Sequence, residues 1–285
     1  MSDALTEHRG ALFSLAYRML GSGSEAEDVL QDAWLRWRSA EGVQNPAAWL
    51  STCVTRLCID RLRATKRRRE EYVGPWLPEP EVFVEPADPQ AISLAFVLLL
   101  ESLSPQERAV YLLREAFDYQ HEEIASALGI RADASRKALS RAREHIRRGR
   151  PRFAPSPSRH AELLMRFSHA CQTGDLGAVE SMLSEDARAV TDGGGKVRAA
   201  TRVIRGRSQV ARFFVGLAAK TSRSSAPYVV RPLQVNGWPA LLVRGEDETR
   251  VLTIETDGEF VQSVFVAANP EKLKRVEERQ GASIS

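Results

Sequence analysis

The chain has 285 residues, 43% of them hydrophobic and 27% charged, with a formal net charge of +3. That length is too great for one small core and suits two or three domains, while the composition excludes a disordered chain. The longest apolar run, Leu94–Leu100, falls far short of the roughly 20 residues that a membrane span requires.

The opening MSDALTEHRG lacks the charged-then-apolar layout of a signal peptide. Cys53, Cys58 and Cys171 form neither a disulfide framework nor a metal-ligand spacing. A cytoplasmic protein with no membrane association, metal or cofactor is therefore expected. Charge is informative only where it clusters. Arg61, Arg63 and Lys66–Arg69 make one basic block, and Arg136, Lys137, Arg141, Arg143, Arg147, Arg148 and Arg150 make another. Two such blocks in a near-neutral chain suggest two footprints for a polyanion.

The first helical signal is Ser24-Glu25-Ala26-Glu27, a capping-box pattern that predicts a helix starting there. Ala26, Val29, Leu30, Ala33, Trp34 and Trp37 follow the spacing of a buried stripe. Asp28, Gln31, Asp32 and Leu35 lie on the other face, a solvated strip with one exposed leucine. A second helix is predicted from Pro46 to Arg69, with proline in its first turn. Leu50, Cys53, Val54, Leu57 and Leu62 can face a core, and Thr52, Arg56, Arg63 and Arg67 form a basic stripe opposite. A loop of Ser39–Gln44, then Asn45 and Trp49 ahead of a basic helix, suits capture of an unstacked base and its phosphates. On its own this is weak, because such a tryptophan more often belongs to a core.

Tyr72–Gln90 holds five prolines and is expected to be an extended linker. Helical patterning resumes at Ala91. Glu122–Ile130 followed by Arg131–Ile146 is a helix-turn-helix pattern, with Gly129 at the turn. Ile124, Ala125 and Leu128 are expected inside, as are Ser135, Leu139, Ala142 and Ile146. Arg136, Lys137, Ser140, Arg141 and Arg143 point outward, where early residues can reach base edges and later ones phosphates. Arg131 stands where a capping Ser, Thr or Asp is usual, and Ser135 where an apolar residue is usual, so Asp133 is a candidate shifted cap.

A second Pro/Ser-rich joint covers Arg150–Ser158. Beyond it, a few helices precede the alternating stretches Tyr228–Val235, Leu241–Arg244, Val251–Thr256 and Phe260–Ala267. Period-two alternation of this kind predicts an antiparallel sheet in an α+β domain.

In this order the pieces resemble an RNA polymerase sigma factor of the extracytoplasmic-function (ECF) group. AEDVLQDAWLRW (Ala26–Trp37) resembles the region that grips the β′ clamp helices, which would make Asp28, Gln31, Asp32 and Leu35 polymerase contacts. NPAAWL (Asn45–Leu50) and the helix after it resemble the region that reads and opens the downstream promoter element, implying Asn45, Trp49, Arg56, Arg63 and Arg67. Thr52 and Arg56 replace residues that are commonly Arg and Asn in the group, which leaves the downstream-element preference open. LSPQERAVYLLREAFDYQHEEIASALGI and the helix after it resemble the sigma-4 domain, which reads the upstream element.

The string YVGPWLPEP (Tyr72–Pro80), with DGGGK (Asp192–Lys196) and NPEKL (Asn269–Leu273), resembles the subgroup that carries a fused SnoaL-like domain of the NTF2-like cone fold. In that subgroup the fused domain regulates sigma activity and docks on the linker and both sigma domains. The resemblance thus implies interdomain regulatory roles for Trp76, Leu77, Pro78, Glu79, Pro80, Asp192, Gly193, Gly194, Gly195, Lys196, Asn269 and Pro270.

The implied architecture is two all-α sigma domains at 1–71 and 91–150, a linker at 72–90 and a joint at 151–158. An NTF2-like α+β domain at 159–275 and a tail at 276–285 complete it. Expected partners are core RNA polymerase, through the β′ clamp helices and the β flap, and promoter DNA; the free chain is expected to be a monomer. Two readings compete. A ligand-responsive helix-turn-helix regulator would leave the first helical domain unexplained. An enzyme built in the cone would need a tuned acid or base, for which His169, Asp186, Asp192 and Glu255 are the candidates. No pair at a recognisable spacing emerges, His169 falls in a helix where packing is the commoner role, and Asp192 beside three glycines suggests a hairpin tip. Catalysis is not expected, and small-molecule sensing by the cone stays open.

Overall fold

The computed structural model describes residues 3–82, 93–149, 156–222, 228–246 and 248–282. They fall into two compact units: Met1–Glu70 with Phe96–Arg150, and Glu71–Ala95 with Pro151–Ser285.

The first unit is helical: α1 (Asp3–Leu20), α2 (Gly23–Arg38), α3 (Pro46–Glu70), α4 (Leu94–Leu100), α5 (Pro105–Glu115), α6 (His121–Leu128) and α7 (Ala132–Gly149). Helix α2 begins earlier than its capping-box pattern suggests. Ser22 is the cap, its hydroxyl accepting from Glu25 N at 3.1 Å, and Ser24 Oγ lies 3.0 Å from that hydroxyl. Ala26, Val29, Leu30 and Ala33 are buried as expected, but Trp34 is 38% exposed. At 100° per residue it lies about 80° from Ala26, on the margin of the apolar arc. There it stacks under the Arg38 guanidinium instead, 4.9 Å from the ring centroid.

Asn45 caps α3, its Oδ1 accepting from Ala48 N at 3.1 Å, and Leu50, Cys53, Val54, Leu57 and Leu62 are all buried. Helix α5 opens on a reciprocal capping box between Ser104 and Glu107. Its Arg108 is 2% exposed and donates to Met19 O at 2.6 Å and Glu101 Oε1 at 2.9 Å. Burial pushes this guanidinium down to about 10. Arg69 also pairs with Glu101, so one carboxylate joins α3 to α5.

In the second unit α8 (Pro157–Thr173) and α9 (Leu176–Met182) lead into a six-stranded sheet: β1 (Leu183–Asp192), β2 (Ile204–Arg205), β3 (Val229–Val235), β4 (Trp238–Arg244), β5 (Thr249–Thr256) and β6 (Val261–Ala267). Helix α10 (Arg207–Ser222) lies between β2 and β3, and α11 (Pro270–Ala282) follows β6. The order is β2-β1-β6-β5-β4-β3. Four strands from β3 to β6 form the expected antiparallel meander, and Asn236-Gly237, both at positive φ, make the tight turn between β3 and β4.

The sheet as a whole is mixed, which corrects the antiparallel expectation: β1 runs parallel to β6. LSEDARAVTD hides this strand because its register shifts between Leu183 and Arg188, which breaks the alternation. The expected tail at 276–285 is also corrected, since α11 continues to Ala282 and Val276 is fully buried.

The two faces of the sheet are covered differently. One packs on α8, α9 and α10 around Phe167, Phe214, Leu241, Ile254 and Val264. The other, with Val235, Ala240, Leu242 and Val251, packs on Leu273 and Val276 of α11 and on Val82 of the proline-rich segment. The chain thus combines helical domains with a C-terminal α+β domain, as the sequence implies.

Candidate functional site

A dense polar arrangement in the second unit forms where the proline-rich segment meets the end of β1. Asp192 is not the solvent-facing hairpin tip that its glycine neighbours suggest; it is fully buried. Its Oδ1 accepts from Tyr72 Oη at 2.6 Å and Gly194 N at 3.0 Å, and its Oδ2 from Leu77 N at 2.8 Å and Lys272 Nζ at 2.7 Å. Lys272 also donates to Leu77 O at 2.6 Å and sits over the rings of Trp76, at 4.2 Å, and Tyr72, at 4.6 Å. A single carboxylate and a single ammonium thus satisfy both backbone polar groups of Leu77, whose side chain is itself fully buried. Burial and donation to Asp192 push the Tyr72 phenol above its ordinary range.

The three glycines have separate reasons. A Cβ on Gly194, at φ +59, would meet Asn269 Nδ2 at 2.3 Å and Tyr72 Oη at 3.0 Å; one on Gly195 would meet Val73 at 3.2 Å; one on Gly193 would meet Val197 O at 2.5 Å. The loop is bare so that Tyr72 and Val73 can approach it. Asn269 Nδ2 donates to Tyr72 Oη at 2.9 Å, Pro270 opens α11, and Lys196 pairs with Glu271.

Downstream, Pro78 and Pro80 are buried and Glu79 is half-buried. Glu81, absent from the sequence expectations, is fully buried and forms ion pairs with Arg275 at 2.9 Å and Arg279 at 3.3 Å. Glu81 N donates to Asn236 Oδ1 at 3.1 Å, and Asn236 N returns a bond to Glu81 O at 2.7 Å. Burial raises the Glu81 carboxyl above its ordinary value despite these arginines. Its signal in the sequence was its alternation with prolines, but nothing there indicates a partner almost 200 residues later.

In the first unit, Asp28 and Gln31 are exposed, Asp32 is half-buried and Leu35 is 57% exposed. Arg61 of α3 spans the two acids, reaching Asp32 Oδ2 at 2.9 Å and Asp28 Oδ2 at 3.4 Å. Trp49 is half-buried and packs on Trp37, with centroids 5.5 Å apart. Arg63 is exposed, and the side chain of Arg67 lies outside the described residues. Arg56 is engaged at the end of α6, donating from Nε to Ala127 O at 2.6 Å. Trp49, Arg56, Arg63 and Arg67 share α3.

The helix-turn-helix has the expected turn, with Gly129 at φ +66. Ser135, Leu139, Ala142 and Ile146 are buried. Buried Ser135 is explained by His121, whose Nδ1 lies 2.9 Å from its hydroxyl. Arg131 stands at the N-cap position of α7, its carbonyl accepting from Ser135 N at 3.0 Å, and its side chain pairs with Asp133 in the first turn. On the outer face Lys137 and Ser140 are exposed, while Arg136 pairs with Glu122, Arg141 with Glu107 and Arg143 with Glu115, each at 2.6 Å.

The enzyme candidates stand apart. His169 is exposed on α8, not packed as a helical position suggested, and Asp186 is exposed on β1. Glu255 pairs with Arg188 and Ser263, and Asp192 is committed to the linker.

Comparison with known proteins covers both units. The family of sigma-70 region 2 matches residues 4–68, and that of sigma-70 region 4 matches residues 93–146. The ECF RNA polymerase sigma factor SigJ of Mycobacterium tuberculosis is 39% identical over 230 residues, covering 76% of this chain and 72% of that protein. The probable ECF sigma factor SigI of the same species is 31% identical over 194 residues, covering 64% of this chain and 67% of that protein. The crystal structure of Mycobacterium tuberculosis SigJ matches with a TM-score of 0.79 at 31% identity, over 96% of this chain and 99% of that one.

Proposed function

The chain belongs to the ECF RNA polymerase sigma factors, and from that premise we propose how its parts share the work of transcription initiation. Core RNA polymerase and promoter DNA are the partners of this family. The strip Asp28, Gln31, Asp32 and Leu35 takes the β′ clamp helices, with Leu35 as an apolar anchor inside an acidic rim; the second sigma domain takes the β flap. Asn45, Trp49, Arg56, Arg63 and Arg67 hold the opened downstream element. Arg136, Lys137, Ser140 and Arg141 enter the major groove of the upstream element, and Arg143 holds phosphate.

Regulation runs through the linker. Both backbone groups of Leu77 are bound by Asp192 and Lys272 of the C-terminal domain, and this observation carries the reading. A segment held in that way cannot follow another path at the same time, so freeing or fixing it changes how the two sigma domains can be spaced on polymerase. Trp76, Pro78, Glu79 and Pro80 serve the same dock by keeping the segment extended with little entropy left to lose. On the opposite side of the dock Gly193, Gly194, Gly195, Lys196, Asn269 and Pro270 shape the receiving loop.

The test is transcription in vitro with purified core polymerase and a promoter pool, comparing the full chain with Asp192→Ala. Specific transcripts that require the protein, with a yield altered by Asp192→Ala at unchanged core affinity, support the reading. Equal yields would overturn regulation through the linker. Binding to duplex promoters without any dependence on core enzyme would favour a ligand-responsive regulator instead.

A further inference from the structure

Between α8, α10 and the strands β3 to β6 lies a cavity of about 360 Å³. That is within the range of about 300–1,000 Å³ seen for small-molecule sites, whereas ordinary cores contain few voids larger than a water molecule. Phe167 and Phe214 line it from the helices, and Val243, Leu252 and Val266 from the sheet. Register explains why these strand residues share a wall: Val243 is paired with Arg250, and Leu252 with Val266, on one face.

Among the described residues, Arg250 is the one charged residue in this lining. Its side chain is 12% exposed and pairs through Nη2 with Glu248, which fixes the fork. A guanidinium has five donors, and among the described residues Nε and Nη1 make no hydrogen bond, which leaves them for a second carboxylate. Thr221 and Gln172 add neutral hydrogen-bonding groups to the lining.

We infer that this cavity is a binding site for a small amphiphile with an apolar body and one carboxylate, the carboxylate held by Arg250. The inference concerns only the C-terminal domain and stands or falls independently of the polymerase and promoter assignments. It gives that domain a chemical input separate from the linker, which occupies the opposite face of the same sheet.

Decanoate, titrated calorimetrically into the full chain below its micelle threshold, is the probe. Saturable binding with one site per chain is expected, and the uncharged decanamide should bind at least 10-fold more weakly. Arg250→Leu should weaken decanoate by a similar factor and leave decanamide unchanged. Ala218→Trp and Thr221→Trp, two independent ways to fill the cavity, should abolish binding while thermal unfolding stays cooperative. Methyl NMR of the unsubstituted protein gives a readout that needs no variant: the Leu217 and Leu252 methyls should shift with decanoate. Absence of saturable binding, equal affinity for acid and amide, or unmoved Leu217 and Leu252 methyls would each overturn the proposal.

Discussion

Lys272 Nζ lies 2.7 Å from Asp192 Oδ2, with the carboxylate side chain fully buried and that of the lysine 9% exposed. A pair of this kind is costly to desolvate, and its value depends on every remaining donor and acceptor being met. Here the surplus capacity goes to the linker: Leu77 N and O, Tyr72 Oη and the faces of two aromatic rings. The ion pair is therefore complete only when the linker is seated.

Lys272→Met should consequently cost about 3–5 kcal/mol, because it leaves a buried carboxylate without its counter-charge. Asp192→Asn in the same chain should recover part of that loss, since the uncompensated charge disappears with it. Urea unfolding of the two single variants and the double variant measures the coupling. Protease cleavage within Tyr72–Val82 should rise in Lys272→Met and fall back in the double variant. Additive losses would argue against a shared knot.

Much of this arrangement was legible in the chain, but unevenly. The helix-turn-helix and α3 could be read because apolar spacing and a turn glycine act over short stretches, and Leu139, Ala142 and Ile146 are buried where the period puts them. The cap of α2 is Ser22 and not Ser24; both offer a hydroxyl ahead of a glutamate-rich turn, and local sequence does not choose between them. Strand β1 is hidden in the sequence because two consecutive exposed residues, Glu185 and Asp186, interrupt its alternation. Three glycines beside Asp192 suggest an exposed turn; here they mean that Tyr72, Val73 and Asn269 come close. Long-range pairing of that sort leaves no periodic trace.

The glycines offer a paired test. Gly129→Ala and Gly194→Ala both force a non-glycine residue into the left-handed region, at φ +66 and +59, with a cost of about 1–2 kcal/mol. Around Gly129 there is open space within 4 Å, so the cost should stop there. Around Gly194 the new methyl would meet the Asn269 amide at 2.3 Å, so Gly194→Ala should lose clearly more and expose Tyr72. Thermal melts of both variants, with tyrosine accessibility read by ultraviolet absorbance, distinguish the two; equal losses would remove the packing role assigned to this loop.

Acid should weaken the C-terminal domain through His160. This residue is buried on α8 against Trp238, with ring centroids 5.3 Å apart, and its Nε2 has no partner among the described residues. Burial pushes it down to about 4 in the fold, against about 6.5 in an unfolded chain. The unfolded state then binds the extra proton, so stability is complete above about pH 6.5 and declines as pH falls towards 4. The loss should reach at most about 3 kcal/mol, from 1.36 kcal/mol per unit. His160→Phe should flatten the urea-midpoint profile between pH 7 and 4.5, and an unchanged slope would assign the acid sensitivity to another group.

On the recognition helix, substitutions should separate readout from charge. Lys137 is exposed on the early part of α7, where a side chain can enter the major groove, whereas Arg143 lies further along and is tied to Glu115 at 2.6 Å. Lys137→Ala should cost about 1–3 kcal/mol on the preferred promoter and much less on a promoter altered at the base it reads. Arg143→Ala should weaken all promoters alike and lower the slope of log affinity against log salt by about 1. The existing ion pair reduces the second effect, because Arg143 must leave Glu115 before it meets a phosphate. Removing that carboxylate, as in Glu115→Gln, should therefore raise affinity for every promoter without changing their ranking. Binding of polymerase holoenzyme to a promoter set at two or more salt concentrations reads all three variants. If Lys137→Ala and Arg143→Ala shift every promoter by the same factor, the outer face of α7 contributes charge alone, and sequence readout by Lys137 is excluded.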